Sequence, residues 1–153
     1  MIIAMASPED AQAILDLQRL AFGYEAELYG DDRLPPLTQT LDELRSEFGH
    51  RLILKFLDGG LVVGSVRAFQ EGDTCHVRRL VVHPDRQGRG IGTALMKHIE
   101  SRFPEARRFE LFTGKLSVRN LRLYEHLGYV PFKEEVVSPR LTMVYLEKRV
   151  LRS

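Results

Sequence analysis

The chain lacks most of the features that would take it out of the ordinary globular class. Among its 153 residues there is one cysteine, Cys75, and no tryptophan. A single thiol excludes an intrachain disulfide framework and a multi-cysteine zinc site. An excess of one charge sign is missing too: 22 basic against 21 acidic side chains leave a net charge of +1. That balance argues against a bulk electrostatic binder of nucleic acid, though a local basic patch is compatible with it. No apolar run approaches the roughly 20 residues that cross a bilayer. Met1-Ile2-Ile3-Ala4 has no basic flank and runs into Ser7-Pro8-Glu9-Asp10, unlike a secretory leader. Repeats and low-complexity tracts are absent as well. What is present is 44% hydrophobic and 28% charged, enough to build a core. The expectation is one cytoplasmic domain, 1–153, with no metal, no nucleic-acid partner and no membrane.

Periodicity places the elements. Ile2 to Met5 is a short apolar strand, and Ser7 with Pro8 opens a helix whose apolar face carries Ile14, Leu17 and Ala21. The polar stretch Tyr24 to Thr40, with Gly30-Asp31-Asp32 and Pro35-Pro36, is loop in at least its second half. Thr40-Leu41-Asp42-Glu43 is a capping box that starts a second helix, ending near Phe48 or Gly49. Leu52 to Leu57, Leu61 to Phe69 and Thr74 to Val82 then alternate as strands around two glycine turns, an antiparallel meander. A helix carrying Ile91, Leu95, Ile99 and Phe103 follows, then a strand from Phe109 to Thr113 and a helix from Ser117 to Leu127, stopped by Gly128. Tyr129 to Val137 and Leu141 to Glu147 suit a final hairpin across Ser138-Pro139. The fold class is α/β (α+β), in the order β-α-α-β-β-β-α-β-α-β-β, a mixed sheet with helices packed on it.

The chemistry lies in Val81-Val82-His83-Pro84-Asp85-Arg86-Gln87-Gly88-Arg89-Gly90-Ile91-Gly92-Thr93. A strand ends at Val82 and a helix begins near Gly90. Three glycines bare the main chain to a ligand, and the helix mouth adds unpaired N–H groups and about half a positive charge. Together these suit a pyrophosphate, although a plain glycine-rich turn with solvated arginines has the same composition. The Gly-Lys-Ser/Thr of a P-loop is absent, and the Gly-x-Gly-x-x-Gly spacing of a dinucleotide turn is not met.

Gln87-Gly88-Arg89-Gly90-Ile91-Gly92 matches the Gln/Arg-x-x-Gly-x-Gly/Ala acetyl-CoA signature of the GCN5-related N-acetyltransferase (GNAT) superfamily, which the chain resembles over nearly its whole length. A second family motif is similar to Asn120-Leu121-Arg122-Leu123-Tyr124-Glu125-His126-Leu127-Gly128-Tyr129. The resemblance implies a mostly antiparallel sheet with a central parallel β-α-β unit that binds acetyl-CoA as co-substrate. It implies that the backbone of Leu80, Val81 and Val82 meets the pantetheine arm, with the Val82 N–H polarising the thioester. Gln87, Gly88, Arg89, Gly90, Ile91, Gly92 and Thr93 would hold the pyrophosphate, with Arg86 nearby. Tyr124 would be the general acid for the departing thiolate; a core tyrosine is the alternative. Asn120, four residues before it on the same helix face, would contact the cofactor or serve only the first helical turn.

The base is less legible. The family's usual glutamate positions match His76 and Arg78 here, and neither is a carboxylate. Arg78 cannot take a proton. His76 can, and it lies in phase with Leu80 and Val82 if no bulge intervenes; a histidine idle at the sheet edge, Glu110 and a water chain are the alternatives. Cys75 reads as a buried thiol, which favours direct attack within a ternary complex. The acceptor is expected to be a primary amine of a small molecule or peptide, near Glu25, Glu27, Asp31 and Asp32. The alternative function is a non-catalytic CoA-binding sensor. The final hairpin leaves monomer and homodimer both open.

Overall fold

In the computed structural model, which describes residues 1–151, the strands are β1 (Ile2–Met5), β2 (Leu52–Asp58), β3 (Leu61–Glu71), β4 (Thr74–Val82), β5 (Arg108–Gly114), β6 (Val130–Ser138) and β7 (Leu141–Arg149). The last two positions of the expected 1–153 domain lie outside the described residues. The helices are α1 (Ala11–Tyr29), α2 (Pro35–Thr38), α3 (Leu41–Glu47), α4 (Ile91–Ser101) and α5 (Val118–His126). The expected order of elements is met, with α2 added and α1 running on to Tyr29. No helix among the described residues is long and apolar enough to cross a membrane.

The seven strands form one sheet in the order β1-β2-β3-β4-β5-β7-β6. All neighbours are antiparallel except β4 and β5. β7 inserts between β5 and β6, leaving β6 at the edge with nearly every residue exposed. The parallel pair β4–β5 is joined only at its start, where Thr74, Cys75 and His76 face Arg108, Phe109 and Glu110. Beyond His76 the two strands pair no further, and a gap opens in the sheet.

Alternation along β2 shows how the layers are packed. Leu54 and Phe56 join the core formed with Ile91, Leu95, Met96 and Ile99 of α4, whereas Ile53 joins Ala11, Ile14, Leu15 and Leu44 of α1 and α3. Helices therefore cover both faces, α1 and α3 on one and α4 and α5 on the other. Thr40 caps α3 as the capping box requires: its side chain accepts from the Glu43 N–H, and Glu43 accepts from the Thr40 N–H.

β4 departs from simple alternation. Arg67 faces Arg78 and Ser65 faces Val81, so two residues, Arg79 and Leu80, oppose Val66 alone. Arg79 takes φ +56° at this β-bulge, a conformation rare outside glycine. The bulge reverses the phase of the strand. Leu80 and Val82 face α4 and α5, lying within 4 Å of the space above Gly92. His76, one register earlier, stacks on Phe69, 5.0 Å between ring centres, on the other face. The expectation that His76 shares a face with Leu80 and Val82 is corrected by that extra residue.

Candidate active site

Two cavities meet at the gap. The first, about 300 Å3, lies between the β4 end, the mouth of α4 and the outer face of α5. The second, about 290 Å3, runs under α1 between β4 and β5. Phe22, Glu25, Leu80 and Asn120 border both and form the junction.

The first cavity is built around α4. Gly90 caps this helix with φ +81°, and no atom lies within 4 Å of where its Cβ would be. The first intrahelical bond is from the Ala94 N–H to the Gly90 carbonyl, 3.0 Å, so the N–H groups of Ile91, Gly92 and Thr93 have no partner within the helix. They form a ready site for an anion. Arg86 also lines this cavity and lies 3.3 Å from Asp58, which offsets part of its charge. The Gln87 side chain is held by a hydrogen bond from Arg119.

The exposed rim of β4 is prepared by the ladder on its other side. The His83 N–H donates to the Val63 carbonyl at 2.8 Å, which makes that a hydrogen-bonded pair. The neighbouring pair, Val82 with Gly64, is then of the other kind, and the N–H and C=O of Val82 point away from β3 into the gap. An extended chain lying there would be hydrogen-bonded like an added strand.

The second cavity holds Tyr124, on the α5 face shared with Asn120. Burial, reinforced by the negative charge of Glu25, pushes its phenol well above the usual tyrosine value. Its hydroxyl makes no hydrogen bond among the described residues. Glu25 is the only carboxylate lining either cavity among the described residues, and hydroxyls fix its position. The Leu116 N–H donates to the Tyr29 hydroxyl at 3.0 Å, Tyr29 lies 2.8 Å from Ser117 Oγ, and Ser117 donates to Glu25 Oε2. Asn120 Nδ2 reaches Glu25 Oε1 and Thr113 Oγ1 at 3.4 Å each. Tyr29 can adopt this place because β5 ends in Gly114: a Cβ there would be 1.9 Å from the Tyr29 hydroxyl.

The site thus gathers Leu80, Val81, Val82, Gln87, Gly88, Gly90, Ile91, Gly92, Thr93 and Asn120 around the first cavity and Tyr124 around the second. Arg89 is exposed and borders neither. His76 borders neither as well; it lies 3.4 Å from Glu110, its pKa lowered by burial and by Arg78. Of the four acidic candidates near the acceptor, only Glu25 lines either of these two cavities; Asp31 lines a separate one with Arg33 and Arg140. Sequence reasoning missed Arg119, Arg122 and His126, which line the first cavity from α5, and Arg51 and Arg79 in the second. The spacing of 119, 122 and 126 along one helix stripe was the signal for the former group. Cys75 is fully buried, with its thiol pushed up to about 12 by burial.

A family model described as the acetyltransferase (GNAT) family matches residues 11–129, and the chain belongs to that family. Over 119 residues it is 27% identical to the UPF0157 protein YqkA of Bacillus subtilis (strain 168), which covers 78% of this chain. The chain spans about a third of that relative's length, 34%. The PaiA N-acetyltransferase of Thermoplasma acidophilum, solved in complex with coenzyme A, matches with a TM-score of 0.79 at 17% identity, covering 98% of this chain and all of the other. The ribosomal-protein-S18-alanine N-acetyltransferase of Escherichia coli gives 0.81 at 16% identity, covering 99% of this chain and 95% of that one. At such identities the likeness shows the fold.

Proposed function

We propose that the protein is an N-acetyltransferase that takes the acetyl group of acetyl-CoA to a primary amine by direct attack, with both substrates bound together. The observation that carries this is the junction: a cavity whose amide-lined mouth is open above Gly88 and Gly90 leads into a second cavity past Leu80, Glu25 and Asn120. The coenzyme A in the PaiA structure lends support, since that protein shares this fold. Acetyl-CoA, as a substrate, supplies the thioester.

The chain's own groups do the rest. Gly88, Gly90 and the amides of Ile91, Gly92 and Thr93 hold the diphosphate, and the rim of β4 at Leu80, Val81 and Val82 aligns the pantetheine. The Val82 N–H faces the thioester oxygen; such a donor is worth about 2.7–4 kcal/mol to the transition state. Glu25 receives the ammonium group and takes its proton. Tyr124, its pKa raised by burial, is protonated at neutral pH as an ordinary tyrosine is, and it protonates the leaving thiolate, whose own pKa rises in the same buried setting. His76 lies 3.5 Å from Arg78 and acts as a positioning group behind that arginine. Cys75, buried and with a raised pKa, carries no acyl group. Solution in the cytoplasm, as monomer or homodimer, belongs to the same reading.

Calorimetry and an assay of released thiol test it. Acetyl-CoA binds at micromolar concentration, and Gly90→Val weakens binding at least tenfold. Tyr124→Phe lowers kcat ten- to a hundredfold, within the usual range for acid catalysis, and leaves acetyl-CoA affinity unchanged. A chain that binds no acetyl-CoA sinks the proposal; one that binds it and turns over no amine is a CoA-binding module instead.

A further inference from the structure

Arg51, Arg78 and Arg79 line the second cavity, and none of them borders the first. Carboxylates to balance them are scarce. Glu47 lies 2.8 Å from the fully buried Arg67 and 3.0 Å from Arg51, so one acid serves two guanidiniums. Arg78 donates to the Val77 carbonyl at 3.1 Å and approaches His76, with no carboxylate in ion-pair range among the described residues. Arg79 makes no side-chain hydrogen bond and no ion pair among them either. The Nε of Arg51 is buried without a hydrogen-bond partner.

Aromatic rings set these groups in place without neutralising them. Arg51 and Arg78 lie over the Phe69 ring at 4.6 and 5.8 Å, and Arg78 lies 4.8 Å over Phe112. The bulge brings Arg79 into the same cavity at the cost of a left-handed backbone. Burial, and then the Arg51 charge, lower the pKa of Arg78 against the pull of Glu110; Arg79 is lowered by burial against the pull of Glu47. A cavity wall with three cations, of which only Arg51 has a carboxylate in ion-pair range and shares it with Arg67, is a half-built ion pair. Opposite in character is the junction, where Glu25 is the only acid. A small acceptor fits the volume, about 290 Å3, which is at the low end for ligand pockets.

Building on the acetyl-transfer reading, we propose that the acceptor is a small amine that also carries an anionic group, a carboxylate or phosphate, held by Arg51, Arg78 and Arg79 while Glu25 takes the amino end. Guanidinium forks match both anions in a way a lone ammonium does not. A polycationic acceptor would meet three like charges.

The test uses matched sets of amines: ω-amino acids and amino acids of graded length, phosphate monoesters of amino alcohols, and the diamine and plain alkylamine of each length. Binding is measured by calorimetry and turnover by thiol release. The expected result is at least tenfold higher affinity and kcat/KM for some anionic amines than for their neutral and dicationic counterparts. Arg79→Gln abolishes that preference, bringing the anionic amines to the level of their neutral counterparts; Arg51→Gln serves if the first variant does not fold. Carboxylate and phosphate arms of the panel separate the two anions. Turnover indifferent to the anion overturns this inference and leaves acetyl transfer standing. Arg79-dependent binding of anionic amines without any turnover leaves the anion-binding wall standing and overturns acetyl transfer. No anionic amine binding better than its counterparts overturns it as well.

Discussion

Gly114→Ala tests the hydroxyl chain that holds Glu25. The new Cβ would sit 1.9 Å from the Tyr29 hydroxyl and 2.4 Å from Cζ, with the ring wedged between α1 and β5. Ordinary carbon contacts are about 3.5–4.0 Å, so the ring must shift by more than an ångström. That movement breaks the bond that Tyr29 accepts from the Leu116 N–H and its bond with Ser117 Oγ, each worth about 1 kcal/mol net. Crowding adds about 1–3 kcal/mol, for a total of about 3–5 kcal/mol. At roughly 2–4 °C per kcal/mol for a chain of this size, thermal unfolding should fall by about 6–20 °C. Kinetics give a second readout: with Ser117 displaced, Glu25 loses its orientation, and kcat/KM for the amine falls at least tenfold. Acetyl-CoA affinity, read by calorimetry, holds within twofold because the cradle belongs to α4. A melting point within about 2 °C of the parent, with amine kinetics intact, refutes the reasoning.

Glu47→Gln should cost about 3–5 kcal/mol in urea denaturation, because it leaves the buried Arg67 without its carboxylate; a loss under about 1 kcal/mol would show that Arg67 finds another partner. His76 gives a pH dependence. Burial and Arg78 hold its pKa below the unfolded value near 6.5, so the unfolded chain binds more protons there. Stability is full above about pH 6.5 and declines as pH falls from there to the folded pKa. His76→Gln should flatten that segment of the stability profile, and an unchanged slope would assign it to other groups.

Much of this was legible in the chain because it depends on local pattern. Glycines at 88, 90 and 92 before an apolar helix stripe mark the cradle, and Asn120 with Tyr124 share one turn of α5. Gly114 and Tyr29 were illegible, since their contact joins residues far apart in sequence. So was the place of β7 between β5 and β6, which pairing alone decides. The bulge did leave a trace. Apolar residues fall at 75 and 77, and then Leu80, Val81 and Val82 are apolar in succession, so strict alternation stops at Arg78-Arg79 without saying which face follows. Glu25 could not be told from Glu27, Asp31 and Asp32, because only the angle at which α1 crosses the sheet selects it.

The sheet's seam also makes the molecule a pair of tongs. The pivot is the short parallel contact of Thr74, Cys75 and His76 with Arg108, Phe109 and Glu110. One jaw carries the arginines and the rim of β4; the other carries Asn120 and Tyr124. A change of side-chain bulk at the pivot, remote from either jaw's tip, should therefore alter their separation, and with it the rate of the proposed transfer, without touching a substrate.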